Sequence, residues 1–283
     1  MTTQTPVTYD LVEEAVALIK LNRPEARNAQ NTELLYALND AFDRAATDEA
    51  VKVIVLAANG PHFSAGHDLR EAPTMEALYE NMKAHKPVGL WDGYSEGGAS
   101  PLFTREQELF VGLCERWRNI PKPTIAAVQG KCIAGGLMLV WPCDIVIAAE
   151  NALFQDNTVS MGIGGVEYFA HPWEVGHRKA KELLFTSDWL TAQDAKALGM
   201  VNKIAPAEEL MEASLEMARR IAQKPMFALK LAKEAVNAAQ DAQGRQAAMK
   251  AAFGYHHVAH AHNQLKFGLV IDPSGFDFGG GKE

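Results

Sequence analysis

The sequence predicts an α/β fold whose C-terminal part is helical. Three observations predict it. Nearly continuous apolar runs stand at VKVIVLA (51–57), TIAAV (124–128) and DIVIAA (144–149), the mark of strands buried on both faces. Segments of helical period lie between these runs. Beyond about residue 178 helical patterns dominate, and strand–helix alternation followed by helices is the α/β signature.

Taken in order, Val16 to Leu21 reads as a strand, and Asn22-Arg23-Pro24 breaks it. Asn31-Thr32 offers an N-cap to a helix reaching about Ala46, with leucines and Phe42 at helical spacing. The strand at 51–57 runs into the turn FSAGHDL (63–69). A helical stretch follows, then the Gly-rich aromatic segment VGLWDGYSEGGASPLF (88–103), then a helix from about Thr104 to Asn119. TIAAV leads to a turn punctuated by Gly130 and Gly135-Gly136, and LMLVW (137–141) reads as a buried helix. DIVIAA is the third buried strand, and Gly162, Gly164 and Gly165 mark another turn. Helices are expected at about 178–187, 192–198, 207–223, 226–239 and 242–262, interrupted by a short strand, VNKIA. The ending GFDFGGGKE reads as a flexible tail.

Bulk properties narrow the function. The 283 residues suffice for one large domain or two modest ones, and 48% hydrophobic residues supply a sizeable core. A formal net charge of −8 argues against a general nucleic-acid binder. The cysteines, Cys114, Cys132 and Cys143, are few and irregularly spaced, as in a reduced cytosolic protein. MTTQTPVTYD lacks the features of a signal peptide, and no apolar run is long enough to span a membrane. A soluble cytoplasmic protein is expected, with neither nucleic-acid nor membrane partners. Neither a GxGxxG nor a Walker pattern is present, which weakens a nucleotide-binding reading.

Two strand–turn–helix junctions, FSAGHDL and VQGKCIAGGLML, carry the candidate chemistry. Gly135 and Gly136 open a helix whose first amides lack internal partners, and the helix dipole adds positive charge there. Two such N–H groups aimed at one oxygen make an oxyanion hole, and losing one donor costs about 2.7–4 kcal/mol of transition-state stabilisation. Either turn alone is equally a plain connection. Their joint occurrence is what is specific.

The chain resembles the crotonase (enoyl-CoA hydratase/isomerase) superfamily over most of residues 10–240. The resemblance rests on LNRPEARNA (21–29), VIVLAANGPHFSAGHDL (53–69), PKPTIAAVQGKCIAGGLMLVWPCDIVIAAE (121–150) and LTAQDAKALGMVNKIAP (190–206). It implies a spiral of ββα turns over residues 1–205 and a helical trimerisation region over 206–283. It implies a homotrimer or a dimer of trimers. The implied ligand is an acyl-CoA thioester, with CoA entering as part of the substrate and no bound cofactor or metal. The backbone N–H groups of His67 and Gly135 match the pair that holds the thioester carbonyl and stabilises an enolate. Ala65, Asp68 and Leu69 fall among the CoA contacts. Arg23 and Arg27 lie in the segment near the CoA phosphates, where guanidinium groups offer paired donors. Lys230 and Lys233 match phosphate contacts from a neighbouring subunit.

Two positions depart from the hydratase pattern. The glutamates that hydrate an enoyl-CoA fall at Met138 and Thr158, neither of which titrates in the needed range. Both stay candidate acyl-pocket residues. Some relatives place an acid about eight residues further on, a position that falls at Val166; Glu167 beside it is the candidate if the Gly-rich GIGG turn shifts the register. If that segment is helical, Glu167 stacks with His171 as an acid/base pair. Asp156 is a weaker candidate, and Asp144 reads as structural. Trp91, with Tyr94 and Phe103, sits where the family covers the acyl group. The reaction expected by similarity is that of an enoyl-CoA hydratase/isomerase. Isomerisation, hydrolysis, decarboxylation, retro-aldol cleavage or silent acyl-CoA binding are the alternatives. HHVAHAH places His256 and His260 at i, i+4, a metal-chelating spacing, but a polar inter-subunit face is the expected role.

Overall fold

A computed structural model describes residues 5–12, 15–72, 74–89, 93–94 and 96–275. The chain folds as β1 (Val7–Val12), β2 (Val16–Leu21), α1 (Thr32–Thr47), β3 (Val53–Ala58) and α2 (Met75–Lys83). Next come α3 (Ser100–Glu106), a π-helical segment (Gln107–Gly112) and α4 (Leu113–Arg118). The centre of the chain forms β4 (Thr124–Val128), β5 (Lys131–Ile133), a 3-10 turn (Ala134–Gly136), α5 (Leu137–Val140), β6 (Ile145–Ala149) and β7 (Leu153–Gln155). Beyond it lie α6 (His171–Val175), α7 (His177–Thr186), β8 (Leu190–Thr191), α8 (Ala192–Leu198) and β9 (Lys203–Ala205). Three long helices end the described chain: α9 (Leu210–Ala222), α10 (Met226–Ala242) and α11 (Arg245–Phe267). The α/β class and the helical C-terminal region are those expected from the sequence.

The large sheet has the order β1-β2-β3-β4-β6-β9, parallel throughout except for the β1–β2 hairpin. Successive strand residues point to opposite faces. Ile54 and Leu56 of β3 therefore join one apolar cluster, with Leu34, Leu38 and Phe42 of α1. Val53, Val55 and Ala57 join the other, with Leu210, Ala213 and Ala218 of α9. β4 and β6 divide in the same way, which explains their unbroken apolar runs.

A second layer stands beside this sheet. β5 pairs in parallel with β7, which pairs antiparallel with β8. Ser64 extends the layer through a parallel bridge to Cys132 of β5. So β3, β4 and β6 each run on into a short segment of the second layer, and β4–β5–α5 is one ββα unit of that succession. Among the described residues no helix is long and apolar enough to cross a membrane.

Candidate active site

The two glycine turns lie side by side, and their register follows from the second layer. Ser64 is bridged to Cys132, with Ser64 N–H donating to Lys131 O and Ile133 N–H to Ser64 O. Three residues further along each segment stand His67 and Gly135. Gln30 accepts from Asp68 N–H and donates to Gly66 O, so the intervening His67 N–H faces away from Gln30. Gly66 has φ +90°, and a Cβ there would stand 2.9 Å from Ile133 O and 3.2 Å from Gly135 N. A Cβ on Gly135 would stand 2.7 Å from the His67 ring. Only glycine allows this approach at either position. Ala134, just before Gly135, is held at φ +46°, a strained conformation for an L residue.

The LNRPEARNA turn is tied to the first of these loops. Asn28 Nδ2 donates to the carbonyls of Asn59 and His62, and its Oδ1 accepts from Arg23 N–H. Ala65 N–H donates to Arg27 O. Arg23 reaches Asp68 at 3.0 Å, joining two of the predicted binding segments. Arg27 is exposed, as is Leu69.

The His67 ring lies flat on Phe110 of the π-helical segment, with centroids 3.8 Å apart. Its Nε2–H donates to Glu167 Oε2 at 3.2 Å. Glu167 is buried. Burial pushes its carboxyl up, but the neighbouring His67 and His256 rings outweigh that and hold it below the usual range. Met138 is buried in the apolar cluster under the sheet. Thr158 is also buried, and its hydroxyl donates to Asp156.

Two expectations are corrected. Residues 162–170 form turns and α6 begins only at His171, so Glu167 and His171 do not stack on one helix. His171 instead donates from Nε2 to Asp156 at 2.8 Å, while Glu167 turns to His67. The outer polar face expected of HHVAHAH is left to His262, the one exposed histidine of the four. His256 and His260 are buried within the single chain, and with His257 they surround Glu106 of α3. Lys233 is likewise engaged inside the chain, 2.9 Å from Asp144. Asp144 also accepts from the amide and hydroxyl of Thr124, in keeping with its structural reading.

Sequence reasoning missed Glu106 and Phe110 and undervalued Asp156. Asp156 accepts from Thr158 N–H, Thr158 Oγ1, Val166 N–H and His171, and so fixes the loop that presents Glu167. Val88 and Gly89 N–H both donate to the buried Glu108, which anchors the start of the aromatic segment. Phe103 tilts onto Phe253 and His257, roofing the histidine cluster. Trp91 lies outside the described residues.

A cavity of about 500 Å³ opens elsewhere, lined by Trp141, Glu174, Lys233 and Arg245 among others. Of the residues predicted to bind or react, Lys233 lines it, and the oxyanion turns, Glu167 and His171 do not. Its cations are already matched, Arg118 and Arg245 by Asp241 and Lys233 by Asp144. It offers a ligand little unspent charge.

Comparison with known proteins bears on this geometry. The model of the family described as "Enoyl-CoA hydratase/isomerase" matches residues 12–94 and 103–271. The chain is 43% identical over 272 residues to the Mycobacterium tuberculosis protein named "Putative enoyl-CoA hydratase EchA13", covering 93% of this chain and 85% of that one. It is 33% identical over 233 residues to the 2,3-dehydroadipyl-CoA hydratase of Escherichia coli, covering 81% of each. A solved structure described as a probable enoyl-CoA hydratase from Mycobacterium smegmatis superposes with a TM-score of 0.83 at 45% identity. That match covers 95% of this chain and 100% of the other.

Proposed function

The chain belongs to the enoyl-CoA hydratase/isomerase family; from that premise we propose that it is an enzyme that binds an acyl-CoA thioester and stabilises the enolate derived from it. The thioester carbonyl oxygen lies between the amides of His67 and Gly135. The observation that carries this reading is the shared register of the two turns, with Gly66 and Gly135 each too crowded for a side chain. As a proton leaves the carbon next to the thioester, its electron pair moves onto that oxygen. Two fixed N–H donors meet the developing charge.

Glu167 is the acid/base group in this reading. It is an ionised carboxylate, buried and oriented by the His67 ring. Met138 and Thr158 leave the usual hydratase positions without an acid. Proton transfer at the carbon beside the thioester is therefore favoured over addition of water. Isomerisation is the simplest outcome; decarboxylation and retro-aldol cleavage share its enolate, and hydrolysis would set its tetrahedral oxyanion between the same two amides. Exposed Arg27 suits the CoA phosphates. The chemistry asks for no bound cofactor. A homotrimer or dimer of trimers is the assembly.

The same absence of paired glutamates favours a second reading, an acyl-CoA binder without turnover. Crotonyl-CoA should lose negligible enoyl absorbance, and hydration at ordinary rates overturns the inference that Met138 and Thr158 leave the site unable to add water. A panel of acyl-CoA thioesters followed by mass spectrometry should reveal turnover that falls at least about 100-fold in Glu167→Gln. Binding by calorimetry with no turnover across the panel establishes the silent binder instead.

A further inference from the structure

We propose that Glu106, His256 and His260 form a binding site for a divalent transition-metal ion, with Zn2+ as the reference case. The inference does not rest on the reaction assigned above.

Glu106 comes from a part of the chain distant from the two histidines, yet the three are buried together, at 4%, 5% and 7% exposure. His256 and His260 stand one turn apart on α11, and Glu106 ends α3. Each ring is pinned through its inner nitrogen: Nδ1–H of His256 donates to Gly165 O at 3.0 Å, and that of His260 to Val270 O at 2.6 Å. With Nδ1–H spent on a carbonyl, the neutral form of each ring presents its Nε2 lone pair, and an ion bound there displaces any proton that Nε2 holds beside Glu106. Both lone pairs converge on the Glu106 carboxylate, 3.5 Å away for His256 and 3.2 Å for His260.

These approaches lack hydrogen-bond geometry. The Nε2 atoms of His256 and His260 and Oε2 of Glu106 are buried with no hydrogen-bond partner. Imidazole nitrogens and a carboxylate crowded together away from water need positive charge among them, from a proton on a ring or from a bound cation. A cation at their common centre supplies it while using all three. The candidate ligand atoms lie within 4.8 Å of one another. Atoms around Zn2+ at about 2.0–2.1 Å stand about 3.3 Å apart, so small rotations complete the shell. Histidine ligands characteristically donate their other N–H to a carbonyl, which fixes ring and tautomer. Two imidazoles and one carboxylate, with positions left for water, are a familiar donor set for Zn2+ or Fe2+. His257 Nε2 lies 3.2 Å from Glu106 Oε2, and Glu167 Oε1 lies 3.5 Å from His256 Nε2. Both border the site.

The test is binding, read without turnover. Chelator-treated wild-type protein should bind Zn2+ one-to-one by calorimetry, and Co2+ should give the visible absorption of a low-symmetry nitrogen/oxygen site. Zn2+ should also raise Tm. His260→Asn and Glu106→Gln, checked for folding by circular dichroism, should each weaken binding at least about 100-fold. Exposed His262→Gln should leave it unchanged. Failure of the wild-type protein to bind either ion overturns the proposal whatever the variants do. So does binding that survives in His260→Asn, or binding lost in His262→Gln.

Discussion

Glu174 shows what a partly enclosed carboxyl does to stability. It sits on α6 at the cavity with Arg118 and Arg245. Burial pushes its carboxyl up to about 7 from the ordinary 4.5, more than the two guanidinium groups lower it. The folded chain therefore keeps this proton where the unfolded chain has released it. Stability from this group is intact below pH 4.5, falls as pH rises towards 7, and stays lost above. Its side chain is half-buried, so solvent reduces the effect to about 2 kcal/mol. Glu174→Gln should gain that amount in urea denaturation at pH 8 and gain nothing at pH 4. Equal gains at both values would remove the ionisation from the account.

Between elements, the loop from β7 to α6 depends on Asp156. Burial raises the cost of its charge, but His171 and the Thr158 groups more than offset it and keep the carboxyl below its usual range. Asp156→Ala leaves a buried imidazole and two amides without their acceptor. It should cost about 3–5 kcal/mol in denaturant titration, and turnover attributed to Glu167 should fall with it. A variant of wild-type stability would show that the loop finds other partners. This loop also marks where sequence reasoning stopped. The buried strands were legible because sheet burial writes a continuous apolar run, and α8 because Thr191 caps it and Gly199 ends it. Glu167 was legible as an acid, but its partner was not. Helical spacing pointed to His171, whereas irregular backbone at 162–170 turned the side chain to His67, a hundred positions away. Glu106 was equally silent, since no spacing rule joins α3 to α11. HHVAHAH was visible as a pattern, yet its exposure could not be read without knowing what packs against it.

At the scale of the molecule, α10 and α11 carry large apolar side chains into solvent. Phe227, Leu231 and Val236 lie on α10, and Tyr255, Val258 and Leu265 on α11. Apolar surface of this kind in one chain favours association. Sedimentation should therefore find a trimer or hexamer, dissociating when Val258 and Leu265 are both changed to Glu. A wild-type monomer would refute the assembly. The same helices are fastened from within: buried Arg245 reaches both oxygens of Glu115 on α4, and Arg118 reaches Asp241 on α10. One further bond reaches deeper. The His256 side chain grips the carbonyl of Gly165, two residues before Glu167. During synthesis the glycine turns leave the ribosome long before that histidine does. A nascent chain can thus close its sheet early, while the acidic group waits for nearly the last helix to emerge before it is held in place.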